Sequence, residues 1–202
     1  MPGDLVEAEV MDRDGTDASP RLYGTLRVPV STLWAPHPKA GPVGSAMLDG
    51  ACEHVARQAQ DDCLTLIGPG ATMRRIKQSL GFTGTLLGVD AFRRGRLVQA
   101  DVGERRILEL LDERQGRIVV GVVGGQGFLF GRGNQPLSPA VIRRVGRDRI
   151  VVVAAMEKLV ALEGRRLLVD TGDPSLDREL AGFITVHTGA RRSVRYRVAA
   201  AT

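Results

Sequence analysis

The chain has 202 residues, 43% of them hydrophobic, enough to bury a core of its own. Basic residues outnumber acidic ones by 28 to 23, a net charge of +5, and the two signs are interspersed, which describes a solvated surface rather than a polyanion-binding tract. No basic run is interleaved with aromatics and no zinc-finger or RNA-recognition signature occurs, so nucleic acid is not favoured as a partner. The excess charge is carried almost wholly by Arg, whose planar fork suits carboxylate and phosphate oxygens.

Aromatics make up only 4% of the chain, and Val, Leu, Ala and Ile dominate the apolar set, as in buried parallel strands covered by helices. Cys52 and Cys63 have neither a CxxC partner nor a His at ligand spacing, and read as reduced thiols of a cytoplasmic protein. The N-terminus lacks the charged and apolar regions of a leader, and no run approaches the roughly 18 apolar residues of a membrane span. Neither export nor a membrane location is expected.

In chain order, residues 5–11 alternate apolar and acidic, residues 22–30 are rich in Leu, Tyr, Thr and Val, and turn residues lie between them. This predicts a small β-hairpin. The stretch from Ser31 to Gly44 holds three prolines and two glycines and marks a boundary or a flap, dividing a region 1–44 from an α/β domain 45–202. A helix is predicted from Ser45 to about Gln60, a strand at Cys63–Ile67, a helix at Ala71–Leu80, a strand at Thr85–Val89 and a turn at Arg93–Gly95. There follow a helix Glu104–Glu113, a strongly apolar strand Arg117–Val123 and a helix opening at Ser138-Pro139, where Ser caps and Pro takes the first position. A strand Arg149–Ala154, a short helix Met156–Leu162, a strand Arg166–Asp170 and two closing antiparallel strands, Gly182–Thr188 and Ser193–Val198, complete the reading. The pattern is α/β: a mainly parallel sheet flanked by helices, with an N-terminal hairpin and C-terminal antiparallel strands.

Two loops carry the candidate chemistry. Gly68-Pro69-Gly70-Ala71-Thr72 joins a strand to a helix; its glycines admit an anion closely, the free N–H groups of the helix start favour negative charge, and Thr72 adds a hydroxyl and Arg74 a charge. The same glycines also serve an ordinary turn, and no Gly-Lys-Ser/Thr ending makes this a Walker loop. The second loop, Gly124-Gly125-Gln126-Gly127-Phe128-Leu129-Phe130-Gly131-Arg132-Gly133-Asn134-Gln135, follows the most apolar strand, where open α/β sheets bind ligands. Gln126, Arg132, Asn134 and Gln135 are its candidate ligand contacts. Asp90, Asp170 and Asp173 end predicted strands and suit a sugar hydroxyl, a metal or general-base work, although Asp173-Pro174 reads equally as a helix cap. His37, His54 and His187 are scattered without ligand spacing; no metal site and no catalytic set can be assembled.

These loops, taken in order with Leu86–Asp90, Leu168–Pro174, Met11-Asp12-Arg13 and Arg21–Gly24, resemble the C-terminal half of the ATP-NAD kinase family in its AcoX-type branch. The resemblance implies a nucleotide-binding domain that uses ATP, NAD and magnesium in concert with an N-terminal domain, whose Gly-Gly-Asp-Gly-Thr motif binds ATP phosphates and supplies the catalytic aspartate. Here Asp14-Gly15-Thr16 is preceded by Asp12-Arg13 rather than two glycines, so the resemblance implies a chain that is not a kinase alone and works with a separate kinase-domain partner. Alternatives are a non-catalytic module that binds a nucleotide or sugar phosphate, and a small enzyme of the sugar-phosphate isomerase type. Exposed N-terminal strands would favour a homo-oligomer.

Overall fold

The computed structural model describes residues 5–12, 21–29, 42–112 and 114–201. The chain divides into two compact units, Met1–Pro38 and Lys39–Thr202. The first holds strands β1 (Leu5–Asp12) and β2 (Arg21–Pro29), paired antiparallel with an irregularity between Val10 and Met11, as the hairpin reading expects. Of the stretch 31–44, residues 31–41 lie outside the described ones, and residues 42–44 already belong to the first helix.

The second unit runs α1 (Pro42–Gln58), β3 (Leu64–Ile67), α2 (Ala71–Ser79), β4 (Asp90–Arg93), β5 (Arg96–Gln99), α3 (Glu104–Leu111) and β6 (Gly116–Gly121). It continues with β7 (Phe128–Phe130), α4 (Pro139–Val145), β8 (Ile150–Val153), α5 (Met156–Ala161), β9 (Arg166–Val169), α6 (Pro174–Leu180), β10 (Gly182–Gly189) and β11 (Arg192–Ala200). One nine-stranded sheet takes the order β5-β4-β3-β6-β8-β10-β11-β9-β7. The pairs β3–β6, β6–β8, β8–β10, β11–β9 and β9–β7 are parallel, while β3–β4, β4–β5 and β10–β11 are antiparallel. The fold is therefore α/β with a mixed, mostly parallel sheet.

The strand β6 shows why its sequence is an unbroken apolar run. Ile118 and Val120 pack on one face with Ile107 and Leu111 of α3 and Val141, Ile142 and Val145 of α4, whereas Val119 packs on the other with α1 and α2. Both faces of the strand are dry, so alternation with polar residues has no place in it. At the burial energy of an aliphatic side chain, each of these valines and isoleucines contributes on the order of 1.5–3 kcal/mol. Ser138 caps α4 as predicted, its hydroxyl accepting from the Val141 N–H at 3.4 Å, with Pro139 behind it.

Two expectations are corrected. The apolar run Thr85–Val89 is not a strand; the strand is Asp90–Arg93, which pairs antiparallel with β3 and turns at Arg94-Gly95 into β5. Within this run Val89 is buried but Leu86 and Leu87 are each 39% exposed, so an apolar run here does not mean a buried strand, and periodicity alone misjudges it. Nor is 124–133 one loop. Phe128–Phe130 is a short buried strand whose N–H and C=O exchange bonds with Val123 at 3.2 and 2.8 Å, and the last strand of the sheet order thereby returns to the end of β6. Among the described residues no helix is long and apolar enough to cross a membrane.

Candidate functional site

The strand directions divide the candidate residues between two edges of the sheet. Because β3, β6 and β8 run parallel, their C-terminal ends share one edge, where α2 begins and where residues 122–127 leave β6. The antiparallel β10–β11 pair reverses the direction, so β9 and β7, parallel to β11, end at the opposite edge. Gly68, Gly70, Thr72, Gly124, Gly125, Gln126 and Gly127 therefore fall on the first edge. Arg132, Asn134, Gln135, Asp170 and Asp173 fall on the second.

At the first edge the turn into α2 is built around Gly70. Its φ of 110° lies outside what an L side chain adopts readily, and a Cβ there would meet nothing within 4 Å, so the turn is open toward solvent. The first intrahelical bond runs from the Arg74 N–H to the Gly70 carbonyl at 2.9 Å. The N–H groups of Ala71, Thr72 and Met73 precede that bond and form the donor end of the helix. Gly121 seats the turn: a Cβ there would lie 3.6 Å from Met73 Cε and 3.9 Å from Thr72 Cβ. Gly68 is tied instead to the strand, its N–H donating to the Val119 carbonyl at 2.9 Å.

Gly124, Gly125 and Gln126, in the segment that leaves β6 at this edge, are exposed, whereas Gly127 is buried, with a Cβ position 2.9 Å from Leu162 and 3.2 Å from the Arg166 carbonyl. Gly127 thus serves packing. Sequence reasoning overlooked Lys158 of α5, half-buried, whose Nζ donates to the Val122 carbonyl at the end of β6. Burial holds its ammonium below the usual lysine value. A lone lysine in a short helix leaves no pattern in a single sequence.

The opposite edge is mostly self-satisfied. Asn134 is 1% exposed; its side chain accepts from the Gly131 N–H at 3.2 Å and donates to the Leu129 carbonyl at 2.7 Å, closing the turn after β7. Asp173 caps α6, accepting from the Ser175 and Leu176 N–H groups at 3.0 and 3.1 Å and from Arg143 at 2.6 Å. Arg143 and these N–H groups pull its carboxyl down to about 2. Thr171 donates to the buried Asp177 at 2.7 Å. Arg132 and Asp170 are exposed and 3.5 Å apart, with the Arg132 guanidinium 4.8 Å over the Phe128 ring, and Gln135 is exposed.

Asp90 has become structural. It is fully buried, its Oδ1 accepts from the Thr85 hydroxyl at 2.8 Å and the Asp101 N–H at 2.7 Å, and its Oδ2 accepts from the Thr85 N–H at 3.0 Å and lies 2.9 Å from Lys77 Nζ. A ligand would reach neither oxygen without displacing these partners. The residues around it hold the loop whose Leu86 carbonyl accepts the Gly70 N–H at 2.7 Å.

The family model of the ATP-NAD kinase C-terminal domain matches residues 60–198, the span from the end of α1 into β11. The chain belongs to the ATP-NAD kinase C-terminal domain family. No curated protein and no solved structure matches it. Membership in this kinase domain family ties the chain to ATP and NAD in general, and both sheet edges lie inside the matched span. Of the two, the α2 edge offers an anion donors that precede any intrahelical bond. Magnesium fits less well: among the described residues no three His, Cys, Asp or Glu side chains converge as a metal-binding group.

Proposed function

We propose that this ATP-NAD kinase C-terminal domain is of the AcoX type and supplies nucleotide contacts for NAD phosphorylation rather than the phosphoryl-transfer machinery. The start of α2 at the shared end of β3, β6 and β8 carries the reading. There the Ala71, Thr72 and Met73 N–H groups would donate to phosphate oxygens, Gly70 would admit them without a side chain in the way, and the Thr72 hydroxyl would add a further bond. Gln126, exposed on the neighbouring loop, would meet the sugar or base. Magnesium would arrive on the nucleotide phosphates rather than on carboxylates of these residues.

Transfer itself needs the acid and phosphate loop of a Gly-Gly-Asp-Gly-Thr motif, and none of these 202 residues forms one. We place that motif on a partner domain, in a cytoplasmic assembly that includes a second copy of this chain. The test is a thermal-shift series with NAD, NADP, ATP and sugar phosphates, with and without magnesium. A ligand at about 100 times its dissociation constant stabilises a fold by about 2.7 kcal/mol. Stabilisation by NAD or ATP that T72V and G70A diminish, and R132A does not, supports the α2 edge. Phosphorylation of NAD on adding a Gly-Gly-Asp-Gly-Thr domain supports the enzyme assembly, and binding without turnover points to a sensing module. No shift with any nucleotide would overturn the proposal.

A further inference from the structure

The turn between β4 and β5 lies at the sheet edge opposite the α2 start, since β4 runs antiparallel to β3. Its two central residues, Arg94 at φ 51° and Gly95 at φ 68°, are both left-handed, a tight hairpin turn whose first position ordinarily takes Asn, Asp or Gly. Here it is an arginine, in a conformation that disfavours any side chain with a Cβ. The surroundings hold it there: the Arg94 N–H donates to the Asp61 carbonyl at 3.0 Å and the Gly95 N–H to the Ala59 carbonyl at 3.1 Å.

The turn fixes the direction of two guanidinium groups at once. Nε of Arg93 and Nε of Arg94 both donate to the same Asp62 oxygen, at 2.7 and 2.9 Å. Asp62, its carboxyl lowered by the hydrogen bonds from those two arginines, uses up one nitrogen of each. Their terminal nitrogens, and the whole guanidinium of Arg96, have no partner among the described residues. Arg93, Arg94 and Arg96, with Val98, line an open cavity of about 550 Å³. Next to it Arg117 is taken up by Asp61 at 2.6 Å. Three of these four guanidinium groups share two carboxylates, Asp61 and Asp62, and Arg96 has none among the described residues, a local excess of two positive charges.

We propose that Arg93, Arg94 and Arg96 form an anion-binding site at the β4–β5 turn that takes a diphosphate or a longer phosphate chain. Forked donors on three arginines match phosphate oxygens in pairs. The volume of the cavity, about 550 Å³, leaves room for more than one phosphate group across the three arginines. The site is separate from the nucleotide contacts at the α2 edge and does not depend on them.

The test is calorimetric titration of the whole chain with inorganic pyrophosphate and with inorganic phosphate, at low and at physiological salt. Pyrophosphate is expected to bind once per chain, more tightly than phosphate, and more weakly as salt rises. R94G and R96Q should each weaken it about tenfold or more, the loss of one charge-assisted hydrogen bond. R105Q, on the exposed face of α3, should leave it unchanged. R94G relieves the left-handed strain, so its melting temperature should hold or rise while binding falls, which separates loss of the site from misfolding. Absence of pyrophosphate binding at millimolar concentration, or equal binding by R94G and R96Q, would overturn the proposal. So would a single-stranded oligonucleotide that binds far more tightly through the same arginines. Stabilisation by NAD should be the same in R94G as in the parent chain, so either reading can fail without the other.

Discussion

Lys77 Nζ lies 2.9 Å from Asp90 Oδ2, and neither side chain has any solvent exposure. Burial pushes the Lys77 ammonium below its usual value, and the Asp90 carboxylate acts against that shift. Two carbonyls complete the ammonium's shell, Thr85 at 3.0 Å and Gly88 at 3.1 Å. The pair thereby ties α2 to the loop that grips the Gly70 N–H. Removing one partner strands the other without water: Asp90→Ala is expected to cost about 3–5 kcal/mol in urea denaturation. The double variant K77M/D90L should be less destabilised than the sum of its single changes. Additive losses would mean that the pair does not act as a unit.

The same residues show how far the sequence can be read. The buried strand β6, the Ser138-Pro139 cap and the Asp173 cap were legible because each rests on local chemistry: an apolar run, a hydroxyl before a proline, a carboxylate before a proline. The loop 85–89 was not, because its apolar run is held by a buried ion pair between residues 13 apart, and a lysine inside a helix reads as surface. The glycine-rich stretch 124–135 suggested one pocket. Only the reversal of direction through β10 and β11 separates Gln126 from Asn134, and strand order has no local signature.

The glycines of the two edges should respond differently to alanine. At Gly131, φ is 90° and an added Cβ would stand 1.7 Å from the Asp170 carbonyl, backbone that cannot give way. G131A should therefore destabilise the fold by more than the roughly 1–2 kcal/mol of left-handed strain alone. G70A meets open space and should lose only the roughly 1–3 kcal/mol of strain at its extended, positive-φ backbone, together with its ligand response. Comparison of their urea midpoints checks this; equal losses would show that the approach of Gly131 to Asp170 is not close in solution.

Asp173 makes a prediction at acid pH. Its carboxyl is lowered from 3.8 to about 2, chiefly by the hydrogen bond from Arg143 and then by the N–H groups of α6. A depressed carboxylate contributes stability that is present above its unfolded value and is lost as pH falls toward about 2. D173N keeps a capping oxygen but cannot titrate, so its stability should fall less than that of the parent over this interval. Parallel acid-unfolding curves for the two proteins would assign the loss elsewhere.

The imidazoles of His54 on α1 and His187 on β10 lie 5.8 Å apart between centroids, their planes tilted by 39°. Burial, and then the charge of His54, lower His187 below its ordinary 6.5. The folded chain therefore favours the neutral ring. Above the ordinary value both states hold it neutral and stability is unaffected; as pH falls below 6.5 the unfolded chain takes up the proton first, and stability declines. Two positive rings in contact would also press α1 away from β10. Urea midpoints measured from about pH 8 to about pH 5, the range in which histidine changes charge, should fall further for the parent than for H187Q. If H187Q keeps the full pH dependence, the α1–β10 contact does not carry it.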